Sequence, residues 1–190
     1  MMTEDADLLV ASFVASEETL DLESILKRAD PTFRPKMTQE DLLPKVFEAD
    51  NRFQVDILTK FGRGRKTPVM LESLGVSAVA LPFMEYLAEE SIEAVALYGA
   101  GVLVRVPPPM RYAAHKLLIA QERNDRTLVK KKKDLAQAKE LLDIALETDS
   151  DAWEEVLADV RRRGPAWKKN IKTSLAEIGW ETRQGRFHLN

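Results

Sequence analysis

Thr3-Glu4-Asp5-Ala6-Asp7-Leu8-Leu9-Val10 runs from two spaced aspartates straight into an apolar segment. The run Asp7–Ala11, short and apolar behind acidic residues, predicts a buried strand. In an extended chain Asp5 and Asp7 point to the same side, roughly 6.5–7 Å apart along the backbone. Two carboxylates so placed can share a hard divalent cation through oxygen ligands. The ordinary alternative is a solvated acidic stretch, which an Asp-x-Asp pair near a terminus usually is.

A second aspartate sits in a strand-like pattern further on. Asp50-Asn51 is turn chemistry, and Phe53-Gln54-Val55-Asp56-Ile57-Leu58 then alternates. Phe53, Val55 and Ile57 share one face, while Gln54, Asp56 and Leu58 share the other. An aspartate in such a segment is unfavourable unless it meets water, a cation or a partner. Asp56 could therefore complete a site for one or two ions, or sit at a sheet edge or pair with an arginine such as Arg52. Ions in such a site neutralise triphosphate charge and activate an attacking oxygen.

Around these two segments the pattern is mixed. Ser16 to Ala29 reads as a helix with Ser16 as its cap and Pro31 as its stop. Short strands are expected around Phe33–Met37 and Lys45–Ala49. Ile92–Leu97 and Val102–Val106 flank Tyr98-Gly99-Ala100-Gly101, a hairpin signal. Pro107-Pro108-Pro109 then punctuates the chain. Beyond it helices are expected almost throughout: one carrying Tyr112, His115, Leu118 and Ile119 on a face, and one over Leu128–Leu146. A third runs from Asp149 or Ser150 through Val160 to a Gly164-Pro165 stop, and a last one over Ala166–Ile178. The expected division is an αβ domain over 1–106 and a helical domain over 107–190.

Composition narrows the chemistry. The chain has 190 residues, enough for one full domain or a small one with a helical appendage. It has no cysteine, which excludes disulfides, zinc–thiolate sites and cysteine nucleophiles, and two histidines leave little for a histidine-rich metal site. A net charge of -3 gives no global reason to expect nucleic-acid binding. No apolar run reaches the length of a membrane span and the start is unlike a signal peptide, so a cytoplasmic protein with no membrane partner is the expectation.

The segment Thr3–Val10 is similar to the Thr-x-Asp-h-Asp-h-h-h motif (h, hydrophobic) of minimal nucleotidyltransferases in the DNA polymerase beta superfamily. Phe53–Leu58 resembles that superfamily's third-acid strand. Val104-Arg105-Val106-Pro107-Pro108-Pro109-Met110-Arg111-Tyr112-Ala113-Ala114-His115-Lys116-Leu117-Leu118 and Lys132-Lys133-Asp134-Leu135-Ala136-Gln137-Ala138 resemble the later part of a bacterial nucleotidyltransferase-like family. The resemblance implies an α+β fold: a nucleotidyltransferase-like mixed sheet with a flanking helix, followed by a C-terminal α-helical bundle. It further implies Asp5, Asp7 and Asp56 as ligands of magnesium or manganese, with Asp56 also accepting the acceptor's proton. The activity implied is transfer of a nucleotidyl group from a nucleoside triphosphate to a protein, RNA or small-molecule acceptor. The family places a helix and a Gly-Ser or Gly-Gly turn before the paired acids. Because this sequence begins at Met1-Met2, a domain lacking its first helix and strand is expected, and with it doubtful catalysis. A non-catalytic binding or regulatory protein, antitoxin-like, is the alternative. Oligomeric state is open.

Several basic clusters are further candidates. Arg63, Arg65 and Lys66, set among Gly62 and Gly64, could reach a phosphate, although a solvated loop is the commoner role. Arg111 and His115 lie one helical turn apart with Lys116 beside them. They could contact a nucleotide, or His115 could be a buried residue that pins the helix. Lys130–Lys133 fans around its helix as a solvated face does. Arg161–Arg163 suits a helix C-terminus, and Trp153, Trp167 and Trp180 read as packing anchors.

Overall fold

The computed structural model describes residues 5–10, 20–60, 68–97, 100–148 and 150–180. They group into two compact units, residues 1–88 and 89–190.

The first unit is a mixed six-stranded sheet. Its strands are β1 (Asp5–Val10), β2 (Arg34–Pro35), β3 (Val46–Glu48), β4 (Gln54–Lys60), β5 (Val69–Leu71) and β6 (Val76–Leu81), with α1 (Leu22–Ala29) and α2 (Met84–Ala88) as its helices. β4 is the centre. It pairs in parallel with β1 over residues 54–59, which takes up one edge along that length. β3 and β6 must therefore share the other edge, β3 antiparallel over residues 54–56 and β6 parallel over 58–60. Paired on both sides, β4 buries Val55, Ile57, Leu58 and Thr59. The core face carries Phe47, Val55, Ile57, Ala78 and Ala80, against which Leu22 and Leu26 of α1 pack.

Two expectations need correction. β1 is an edge strand, not a buried one: only β4 pairs with it among the described residues, and Leu8 keeps 40% of its surface exposed. Helix α1 starts at Leu22 because the Asp21 carboxylate accepts the Glu23 amide at 3.1 Å and so satisfies the first turn there. Ser16, the expected cap, lies outside the described residues. The Asp50-Asn51 turn forms as expected. Arg52 completes it in the left-handed region (φ 67), and the Asn51 side chain accepts the Phe53 amide at 2.9 Å. That tight reversal fixes Val46 opposite Asp56 and Glu48 opposite Gln54.

The second unit holds the hairpin β7 (Ile92–Ala96) and β8 (Val102–Val106), then α3 (Pro109–Gln121), α4 (Leu128–Thr148), α5 (Ser150–Arg162) and α6 (Pro165–Glu177). The hairpin groups with the helices rather than with the sheet. At its turn Gly101 has φ 91, and an added Cβ would stand 2.8 Å from the Val95 side chain, so this position requires glycine. The α3 helix is buried on several faces, by Ala113, Ala114, Leu117, Leu118 and Ala120 among others, as suits a helix packed by α4, α5 and α6 together. Ser174 of α6 donates to the Leu117 carbonyl at 2.7 Å, tying α6 to α3. Trp153 and Trp180 are buried edge-to-face at 6.0 Å, in the anchor role expected of them. No helix among the described residues is long and apolar enough to cross a membrane.

Candidate metal and nucleotide site

The β1–β4 register decides how the candidate acids meet. Asp7 is the direct parallel partner of Asp56, and Asp5 is the partner of Gln54. Partners across a ladder share a face, and residues two apart on a strand do too, so Asp5, Asp7 and Asp56 stand on one face of the sheet. Adjacent strands lie about 4.8 Å apart. The Asp7 and Asp56 backbones are therefore close enough for both carboxylates to address one small cation. Asp5 and Asp7 are exposed, and Asp56 is half-buried. Asp7 and Asp56 are each already engaged in interactions. Among the described residues no three acidic or histidine side chains converge closely enough to enclose an ion as they stand. Carboxylate oxygens are donors of the kind that hard divalent cations such as magnesium or manganese take.

The same face continues across β3 to β2. Glu48, the partner of Gln54, accepts from the Gln54 amide at 2.6 Å and from the Lys36 ammonium at 2.5 Å. The bond from Lys36, chiefly, holds the Glu48 carboxyl below its usual range. Nothing in the sequence alone points to Glu48 or Lys36. Lys45–Ala49 reads as a short strand, but its partner and register, which align Glu48 with Gln54, are set by a turn and are invisible in a residue pattern. The one available signal was the shared face of Gln54 and Asp56.

The basic candidates fare differently. Arg63, Arg65 and Lys66 lie outside the described residues. Arg111 is buried in the second unit, where it bonds Glu89 at 3.1 Å and Glu90 at 2.8 Å. Glu89 also receives Arg163. Burial raises the Glu89 carboxyl pKa, yet the bonds from Arg163 and Arg111 outweigh that and leave it lowered. Lys116 bonds Asp134 at 3.1 Å and lies 5.1 Å from the Tyr112 ring centre. Burial pulls the Lys116 ammonium pKa down, but Tyr112 and Asp134 more than offset this, and the net shift is upward. His115 is buried. These three residues are thus packed inside the second unit, with both cations committed to carboxylates. The Lys130–Lys133 run is mainly exposed, with Lys131 bound to Glu177 at 2.9 Å. Arg163 does more than oppose a helix dipole: it pairs with Asp159 and lies 5.0 Å from the Trp167 ring centre.

A model of a family described as nucleotidyltransferase matches residues 1–161 of the 190. The chain belongs to this nucleotidyltransferase family. The match spans the sheet with its paired acids and runs on through the hairpin, α3, α4 and most of α5. No curated protein and no solved structure gave a match. Membership of the family makes a nucleotidyltransferase-like function the coarse assignment, on an α+β fold with C-terminal helices.

Proposed function

We propose that the chain transfers a nucleotidyl group from a nucleoside triphosphate to an acceptor, with magnesium or manganese held by Asp7 and Asp56. The observation that carries this is the parallel register that sets Asp7 directly opposite Asp56, with Asp5 two residues along the same face. A bound divalent cation would neutralise triphosphate charge and lower the pKa of an attacking oxygen. Asp56 is the acid on the central strand, fixed by neighbours on both edges, and so is the better placed of the pair to take the acceptor's proton. In the balanced step, an acceptor oxygen bonds the α-phosphorus as the bond to the β-bridging oxygen breaks. Pyrophosphate leaves with that electron pair, and the acceptor's proton passes to Asp56. Asp5 contributes negative charge at the rim of the site.

A second reading is binding without turnover. It is favoured by the absence, among the described residues, of three convergent donors. Label transfer separates the two. Full-length protein is incubated with magnesium and each α-labelled nucleoside triphosphate, offering the protein itself, total RNA and small hydroxyl compounds as acceptors. Wild type labels one acceptor class, and Asp7→Asn or Asp56→Asn lowers labelling at least about 100-fold, as loss of a direct metal ligand should. Labelling that survives the double substitution would falsify the proposed site. Magnesium-dependent triphosphate binding with no labelling would select the second reading.

A further inference from the structure

We propose that Lys36, backed by Arg34, is the polyphosphate end of the acidic site and lets the chain hold a triphosphate in preference to a monophosphate. This rests on the nucleotidyl-transfer reading above and adds a direction to it: the phosphate tail runs from the Asp7–Asp56 pair across β3 toward β2.

The register supplies the geometry. One row across the sheet reads Asp5, Gln54, Glu48, Arg34, from β1 through β4 and β3 to β2. The next row reads Asp7, Asp56, Val46 and then Lys36, whose amide donates to the Val46 carbonyl at 2.8 Å. The face therefore changes from acidic at β1 and β4 to basic at β2, with Glu48 of β3 the one acid between them and bonded to Lys36. Within the row of Asp56 and Lys36 the residue between them, Val46, carries no charge. Two strand spacings, on the order of 10 Å, separate the Asp56 and Lys36 backbones. A triphosphate and an extended lysine stem together bridge that gap.

Availability separates Lys36 from Arg111 and Lys116. The Lys36 and Arg34 side chains are 55% and 69% exposed, in surface pairs with Glu48 and Asp50, against 7% for Arg111. An ion pair this exposed contributes little net stability, so the fold loses little when Lys36 turns from Glu48 to a phosphate. Glu48 is not orphaned by that exchange, because the Gln54 amide still donates to the same oxygen. Arg111 and Lys116, by contrast, would leave carboxylates inside the helical unit without their cations. A bare phosphate chain would be repelled by the three aspartates, so a cation at the far end also fixes which way the tail points.

The test uses the full chain and inorganic tripolyphosphate, with inorganic phosphate as the short probe, both titrated calorimetrically in magnesium. Lys36→Gln should weaken tripolyphosphate binding about tenfold, the scale of one lost charged hydrogen bond. Binding of inorganic phosphate should stay within about twofold of wild type, and Lys36→Arg should restore most of the tripolyphosphate affinity. An unchanged tripolyphosphate affinity in Lys36→Gln overturns the proposal, as does an equal loss for both probes or a wild type that binds no tripolyphosphate. The two readings fail separately. A tripolyphosphate-selective loss in a protein that transfers no label leaves the subsite standing and removes the transferase. Label transfer with no effect of Lys36→Gln does the reverse.

Discussion

Asp41 receives the Lys45 ammonium and, at 2.8 and 2.9 Å, the amide and hydroxyl of Thr38. These bonds, that of Lys45 first, lower its carboxyl from 3.8 to about 2. A folded-state value below the unfolded one means the ionised acid favours the fold. That contribution is complete above the ordinary value and is lost as pH falls toward 2. Asp41→Asn should therefore narrow its stability gap from wild type between about pH 4 and pH 2, followed by urea melts at each pH. A gap that persists unchanged at pH 2 would contradict this account. Asp134 is the stronger case inside the helical unit, since it holds Lys116 at 3.1 Å and Arg123 at 3.0 Å while itself buried. Replacing it by alanine strands two partly buried cations and should cost about 3 kcal/mol in chemical denaturation. A loss below about 1 kcal/mol would show the pairs to be solvent-screened.

Among the elements, legibility followed the residue pattern. β4 was plain because Phe53 to Leu58 alternates, and the β7–β8 hairpin because glycines sit between two β-branched runs. β6 carries no such signal. Val76-Ser77-Ala78-Val79-Ala80-Leu81 is small and apolar without a marked period, and a strand with neighbours on both sides needs no polar face to show. α3 is plain as a helix, but the face of Tyr112, His115, Leu118 and Ile119 is only part of what it buries, because burial by three other helices erases the single apolar stripe. The tryptophans were legible from size alone. Trp153→Ala removes a fully buried indole that packs on Trp180 and should cost about 3–5 kcal/mol. Urea unfolding monitored by far-ultraviolet dichroism reads that loss. A change under 1 kcal/mol would mean that the Trp153–Trp180 packing is not as described.

For the whole molecule, the candidate site was half legible. The aspartates and their likeness to a nucleotidyltransferase family could be read directly, and the family match over residues 1–161 bears out the likeness. The register that aligns Asp7 with Asp56, and the basic continuation through Lys36, could not, because both depend on which strands become neighbours. Holding two acids face to face is a cost that a bound cation would relieve, so the folded chain should gain stability from the metal. Magnesium at about 100 times its dissociation constant should add about 2.7 kcal/mol, and a chelator should remove it. The measurement that bears most directly on the paired acids is manganese binding followed by electron paramagnetic resonance, with a nucleoside triphosphate present. The expected result is a bound-manganese signal in wild type that weakens at least about 100-fold in affinity in both Asp7→Asn and Asp56→Asn. Equal manganese affinity in wild type and both variants would contradict the assignment of this pair as the metal site.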